Sequence, residues 1–141
     1  MVTTKGRYAL GMLLQLAQQP ADRFVSLKTI AERQQVSMKY LEMIVALLNK
    51  GGLVESTRGK DGGYRLARKA EEITVAQVLR VTEGSMAPVS CISCGESSCE
   101  HADTCLTLPM WQRLDQLTDQ YLSGVTLSDL LHGKVDGSIS Y

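Results

Sequence analysis

The sequence predicts a mainly α-helical chain with one small β-hairpin. Three observations carry this. Apolar residues recur at helical spacing through most of the 141 residues. Small polar residues stand where helices would be capped, at Ser26, Ser37, Thr74 and Thr126. One Gly-rich stretch, Arg58-Gly59-Lys60-Asp61-Gly62-Gly63, lies between two short strand-like runs.

The elements follow in order. Residues 3–18 read as a helix, with Tyr8, Leu10, Leu13, Leu14, Leu16 and Ala17 in register and Pro20 beyond its end. Ser26 caps a short second helix that runs to Arg33, with Leu27, Ile30 and Ala31 facing inward. Gln34-Gln35-Val36 makes a turn. Ser37 caps a third helix, Met38 to Lys50, which Gly51-Gly52 ends. Its inner face is Leu41, Ile44, Val45 and Leu48, and its open face is Lys39, Tyr40, Glu42 and Met43. The runs 53–57 and 64–67 are strands, with Asp61-Gly62 as the hairpin signal between them. Thr74 caps a fourth helix that ends at Glu83-Gly84. A cysteine-rich loop spans 85–105. A long amphipathic helix covers 106–122, with Leu114, Leu117 and Tyr121 in register beside Trp111. Thr126 caps a last short helix to His132, and 133–141 is expected to be a disordered tail.

Composition narrows the function. The chain has enough residues for an aliphatic core without disulfide staples. No apolar run approaches the roughly 18 residues of a membrane span, and the first residues do not read as a secretory signal. A cytoplasmic location is expected. Formal net charge is zero, but it is unevenly spread. Residues 1–69 hold twelve Lys or Arg against five Asp or Glu, and the remainder holds three against ten. Such asymmetry hints at a nucleic-acid-binding half.

Short helix, turn, helix and hairpin is the order of a winged helix-turn-helix. In that arrangement the third helix enters the major groove of double-stranded DNA, where base edges distinguish all four pairs. Ser37, Lys39, Tyr40 and Glu42 lie near its N-terminus on the open side. Glu42 repels phosphates but accepts from a cytosine amino group, so it suits selectivity rather than attraction. Arg58 and Lys60 on the hairpin tip suit a minor groove.

All four cysteines fall in one segment, Cys91-x2-Cys94-x4-Cys99-x5-Cys105. In a cytosolic chain this density points to metal or redox chemistry rather than disulfides. Thiolates suit soft metals and iron–sulfur clusters. Zinc remains open, although a five-residue gap is loose for a zinc knuckle. A dithiol oxidoreductase is disfavoured, because no strand–helix–strand pattern surrounds Cys91 and Cys94. No Ser/His/Asp constellation accompanies His101 or His132, so the chain is not expected to be an enzyme.

The motifs 5-KGRYA-9, 30-IAERQ-34, 40-YLE-42 and Arg58-Gly59 to Gly62-Gly63-Tyr64 resemble the Rrf-type (IscR/NsrR/RirA-like) winged-helix regulators over about residues 1–132. The resemblance implies three parts: a DNA-binding domain over 1–84, a cluster-binding loop over 85–105 and a dimerisation helix region over 106–132. It implies a homodimer on an imperfect palindrome, with Ser37, Lys39, Tyr40, Glu42 and Arg58 at DNA-contacting positions. IscR has a small polar residue where this chain has Lys39, so the preferred operator would differ. Cluster-bearing members use three cysteines, which here match Cys91, Cys99 and Cys105, and Cys94 is extra. The fourth ligand departs from the family. IscR-type members place a histidine where this chain has Leu108, and NsrR-like members place a partner's aspartate where it has Arg7. Cys94 and His101 are the local candidates. A 2Fe–2S cluster is favoured, with 4Fe–4S as the alternative. A cluster-free thiol- or zinc-dependent regulator of the same fold is the competing reading.

Overall fold

A computed structural model describes residues 1–92 and 100–137. Its elements are α1 (Thr4–Ala17), α2 (Leu27–Gln34), α3 (Met38–Lys50), β1 (Val54–Thr57), β2 (Gly63–Leu66), α4 (Val75–Glu83), α5 (Leu108–Ser123) and α6 (Leu127–Leu131). Single 3-10 turns lie at Ala70–Glu72, Ser90–Ile92 and Ala102–Thr104.

The helix starts follow their caps. Ser26 Oγ accepts from Thr29 N and Ser37 Oγ from Tyr40 N, each at 3.2 Å. These bonds satisfy backbone donors that the first turn leaves unpaired. Thr74 with Gln77 and Thr126 with Asp129 form reciprocal capping boxes for α4 and α6. The two boxes meet, because Val75 N donates to Val125 O and Leu127 N to Ile73 O. This pairing returns the C-terminal helix to the core, where Leu127 is fully buried. Between α2 and α3 the chain reverses at Gln35, which takes a left-handed conformation (φ 56°). Val36 N then reaches back to Ala31 O.

The core joins Ala9, Met12, Leu13 and Leu16 of α1 to Ile30 and Ala31 of α2 and to Leu41, Ile44, Val45 and Leu48 of α3. The inner face of α3 is the one its periodicity predicts. That of α1 is turned from the expected one: Ala9, Met12, Leu13 and Leu16 are deepest, while Tyr8, Leu10 and Leu14 pack at the margin.

Strands β1 and β2 pair antiparallel, Val54 with Leu66 through Thr57 with Gly63. Val25 and Tyr64 exchange backbone hydrogen bonds at 2.8 Å in both directions, which adds a third short strand segment. The hairpin expected at Asp61-Gly62 forms, and the left-handed φ of its turn falls at Gly59 (111°). Gly62 and Gly63 are needed for close approach instead. A Cβ on Gly63 would lie 2.2 Å from Val25 O, and one on Gly62 would lie 2.7 Å from Thr57 O. The long helix starts two residues later than expected, at Leu108, which leaves Leu106 97 % exposed. At the C-terminal end, Lys134 N donates to Asp129 O, and 138–141 lie outside the described residues. No helix among the described residues is long and apolar enough to cross a membrane.

Candidate nucleic-acid interface and cysteine segment

The exposed side of α3 presents Lys39, Glu42 and Met43, at i, i+3 and i+4 on one face. Among the described residues Glu42 has no cation partner, so its carboxylate is not neutralised. Tyr40 is half-buried, and its ring meets Tyr8 of α1 edge-on at 5.9 Å. Its orientation is thus set by α1. Ser37 Oγ accepts from Tyr40 N, which leaves the hydroxyl proton available to an outside acceptor.

The wing tip is Arg58 to Asp61, all exposed. The turn is closed by Gly62 N donating to Gly59 O at 3.0 Å. Arg58 and Lys60 carry no ion pair among the described residues. Arg65, further down the hairpin, is occupied: it bonds Glu55 at 3.0 Å and lies over the Phe24 ring at 4.4 Å.

The cysteine segment leaves α4 at Gly84, which has φ +78°. Cys91 sits half-exposed in the 3-10 turn Ser90–Ile92. Cys94 and Cys99 lie outside the described residues, so their expected roles find no geometry here. His101 is exposed at the head of the turn Ala102–Thr104, with its carbonyl accepting from Thr104 N. Cys105 ends that turn, and its Sγ lies 3.4 Å from Thr107 Oγ1. Hydrogen bonds from the Thr107 side chain, the Thr107 N–H and the Leu108 N–H hold its thiol below the ordinary range. The head of α5 thus favours a thiolate. Cys91 and Cys105 are both free of disulfides. Among the described residues no group of three His, Cys, Asp or Glu side chains is placed to hold a metal.

Leu108 is buried at the start of α5, a helix that packs on α4, and Arg7 is exposed on α1. His132 is engaged locally, its Nδ1 lying 2.8 Å from Ser128 O. Along α5 the apolar side chains Met110, Leu114, Leu117 and Tyr121 are 43–57 % exposed. Their spacing of four, three and four residues makes one continuous stripe.

One arrangement left no sign in the sequence. Glu83, the last residue of α4, closes on the start of α1. Its carboxylate accepts from Thr3 N at 2.8 Å, Thr3 Oγ1 at 2.7 Å and Gly6 N at 3.0 Å. Burial pushes the Glu83 carboxyl up, but the bonds from Thr3 and Gly6, with Lys5 nearby, outweigh it and hold the group below its usual range. A Cβ at Gly6 would lie 2.5 Å from Glu83 Oε1, so a side chain there would push the carboxylate off its present contacts.

A family model described as Rrf2, iron-dependent transcriptional regulator, matches residues 2–133. The chain is 40 % identical to the transcriptional regulator IscR of Pectobacterium atrosepticum over 134 residues, covering 94 % of this chain and 80 % of that one. The solved structure of T. potens IscR superposes with a TM-score of 0.76 at 35 % identity, covering 100 % of this chain and 93 % of that one. The structure of CymR, the global cysteine regulator of B. subtilis, gives 0.76 at 34 % identity, covering 96 % and 98 %. Fold and relatives alike are those of transcriptional regulators, not enzymes.

Proposed function

The chain belongs to the Rrf2 family of transcriptional regulators, and from that premise we propose a cytoplasmic homodimer that reads an imperfect palindrome in duplex DNA and reports the state of an iron–sulfur cluster. The reading side is the exposed face of α3 with Ser37, Lys39, Tyr40 and Glu42, flanked by Arg58 and Lys60 on the wing. The exposed stripe on α5 is the dimer surface, because four large apolar side chains in line are costly to leave in water.

The observation that carries the cluster reading is the gathering of four cysteines between Cys91 and Cys105, the last of them set beside Thr107 at the head of α5. Cluster ligation requires thiolate, and the donors of this segment are soft. Cys91, Cys99 and Cys105 are the three principal ligands, with Cys94 or His101 as the fourth. We favour a 2Fe–2S centre, with 4Fe–4S as the alternative that the same donors also allow. Bound there, it would supply a redox-active group that absorbs visible light. Thr107 and Leu108 stabilise the Cys105 thiolate, and Gly84 and Thr107 tie the segment to α4 and α5.

The test is anaerobic reconstitution followed by absorbance and iron and sulfide analysis. Cys91→Ala, Cys99→Ala and Cys105→Ala should each abolish the visible band. Cys94→Ala and His101→Ala identify the fourth ligand by which one makes it labile. Stoichiometric zinc with no visible band would refute the cluster and leave DNA binding standing. That outcome is the second reading, a thiol- or zinc-dependent regulator, which the likeness to CymR supports.

A further inference from the structure

Wing and α2 enclose a cleft of about 500 Å3, whose walls include Arg23, Arg33 and Lys60. We infer that this cleft seats a backbone phosphate of duplex DNA, held by those three side chains. The inference rests on the DNA-binding reading above and adds Arg23 and Arg33 to it.

Placement is the first argument. α2 leads through the Gln35 turn directly into α3, so the cleft lies between the wing and the helix that precedes the reader. If α3 occupies a major groove and the wing the neighbouring minor groove, the sugar–phosphate strand that separates the two grooves must pass between the wing and the α2–α3 unit. The cleft is the depression available to it. Its shape is fixed by backbone. Gly62 has no room for a Cβ, and the Val25–Tyr64 hydrogen bonds clip the hairpin to the segment entering α2.

Charge is the second argument. Asp22 and Asp61 also line the cleft, yet neither pairs with Arg23, Arg33 or Lys60; the ion pairs among the described residues are Arg65–Glu55 and Arg80–Asp119. Three cations thus stay unneutralised beside two carboxylates. This balance is too weak to hold a free phosphate. It suits a phosphodiester delivered by a duplex that is already bound elsewhere, because a polyanion gains from each cation through counterion release.

The experiment measures affinity against salt concentration for a selected operator and a scrambled duplex. The variants are Arg23→Gln, Arg33→Gln and Lys60→Gln, with Arg68→Gln as control. Arg68 is an exposed cation of the same domain that lies outside the cleft. Each cleft variant should lower the logarithmic salt slope by about one. Each should weaken both duplexes by the same factor, and Asp61→Asn should tighten both. Arg68→Gln should leave the slope unchanged, and inorganic phosphate should compete no better than its ionic strength allows. Unchanged unfolding midpoints would confirm that the exposed replacements leave the fold intact. Cleft variants with the wild-type slope, or with a loss confined to the operator, would overturn the inference. A wild-type protein that retards no duplex at all would instead bring down the DNA-binding reading on which it rests.

Discussion

Glu83 offers a quantitative test of how the fold is fastened. Glu83→Ala removes one acceptor from two backbone N–H groups and a hydroxyl at the start of α1, all within 3.0 Å. Losing a helix cap costs about 0.5–2 kcal/mol, and a charged acceptor stands at the upper end of hydrogen-bond strength. The site is partly exposed, so water recovers some of this, and the expected loss is about 1–2 kcal/mol. Gly6→Ala attacks the same contact from the other side. The new Cβ would meet Glu83 Oε1 at 2.5 Å and Leu79 Cδ2 at 2.8 Å, both side-chain atoms. Overpacking of this kind costs about 1–3 kcal/mol. One of the two clashes vanishes when the carboxylate is gone, so the double variant should be less damaged than the sum of the singles, by about 1 kcal/mol. The pH dependence has a definite sign. The folded Glu83 carboxyl titrates below its unfolded value of about 4.3. Its contribution is therefore complete above that value and is lost as pH falls through the folded one. Urea unfolding at fixed protomer concentration reads all three effects. Additive single and double variants, or a gap between wild type and Glu83→Gln that does not narrow in acid, would refute the reasoning.

Two further outcomes bear on the proposed function. Glu42→Ala should relax base preference in a selection experiment while changing affinity for a scrambled duplex little, because the carboxylate discriminates without attracting phosphates; an equal loss on all sequences would make it a structural residue. Leu114→Glu and Leu117→Glu place charge in the middle of the α5 stripe, and sedimentation should show monomers with an intact helical spectrum; a persisting dimer would put the interface elsewhere.

Much of the fold was legible because its helices carry their own punctuation. Ser26, Ser37, Thr74 and Thr126 each cap the helix expected of them, and the periodicity of α3 names its buried face correctly. What could not be read depends on partners distant in sequence. Asp61-Gly62 signals the hairpin that forms, but the close approach of Gly62 and Gly63 to the carbonyls of Thr57 and Val25 follows from no local rule. The start of α5 was placed two residues early because Leu106 is apolar, yet it stands 97 % exposed ahead of the first helical turn. The Glu83 contact spans about 80 residues and joins groups unremarkable in isolation. Arg23 and Arg33 counted in the sequence only as part of a basic surplus, and the cleft gives them a common place.

The proposed signal and the proposed reader meet on α4. Glu83 closes on the first turn of α1, and one residue later Gly84 turns the chain into the cysteine segment. The segment returns at Thr107 to start α5, which packs on α4 and is tied to it by the Arg80–Asp119 pair. Both ends of the segment are thus anchored to the same helix pair, and α4 packs directly on α1, where the Glu83 carboxylate holds the first turn. The reading head beyond is a single close-packed body, with Leu41, Ile44 and Leu48 of α3 buried against α1 and α2. Interiors of this density shift as units rather than deform. A change in the path of the segment would therefore reach α3 as a rotation of the whole head, α4 included, relative to α5. In a dimer whose recognition helices must meet half-sites about 34–36 Å apart, a small rotation at that radius is enough to break register. By linkage, DNA that holds the heads in register must in turn favour the segment conformation that permits it.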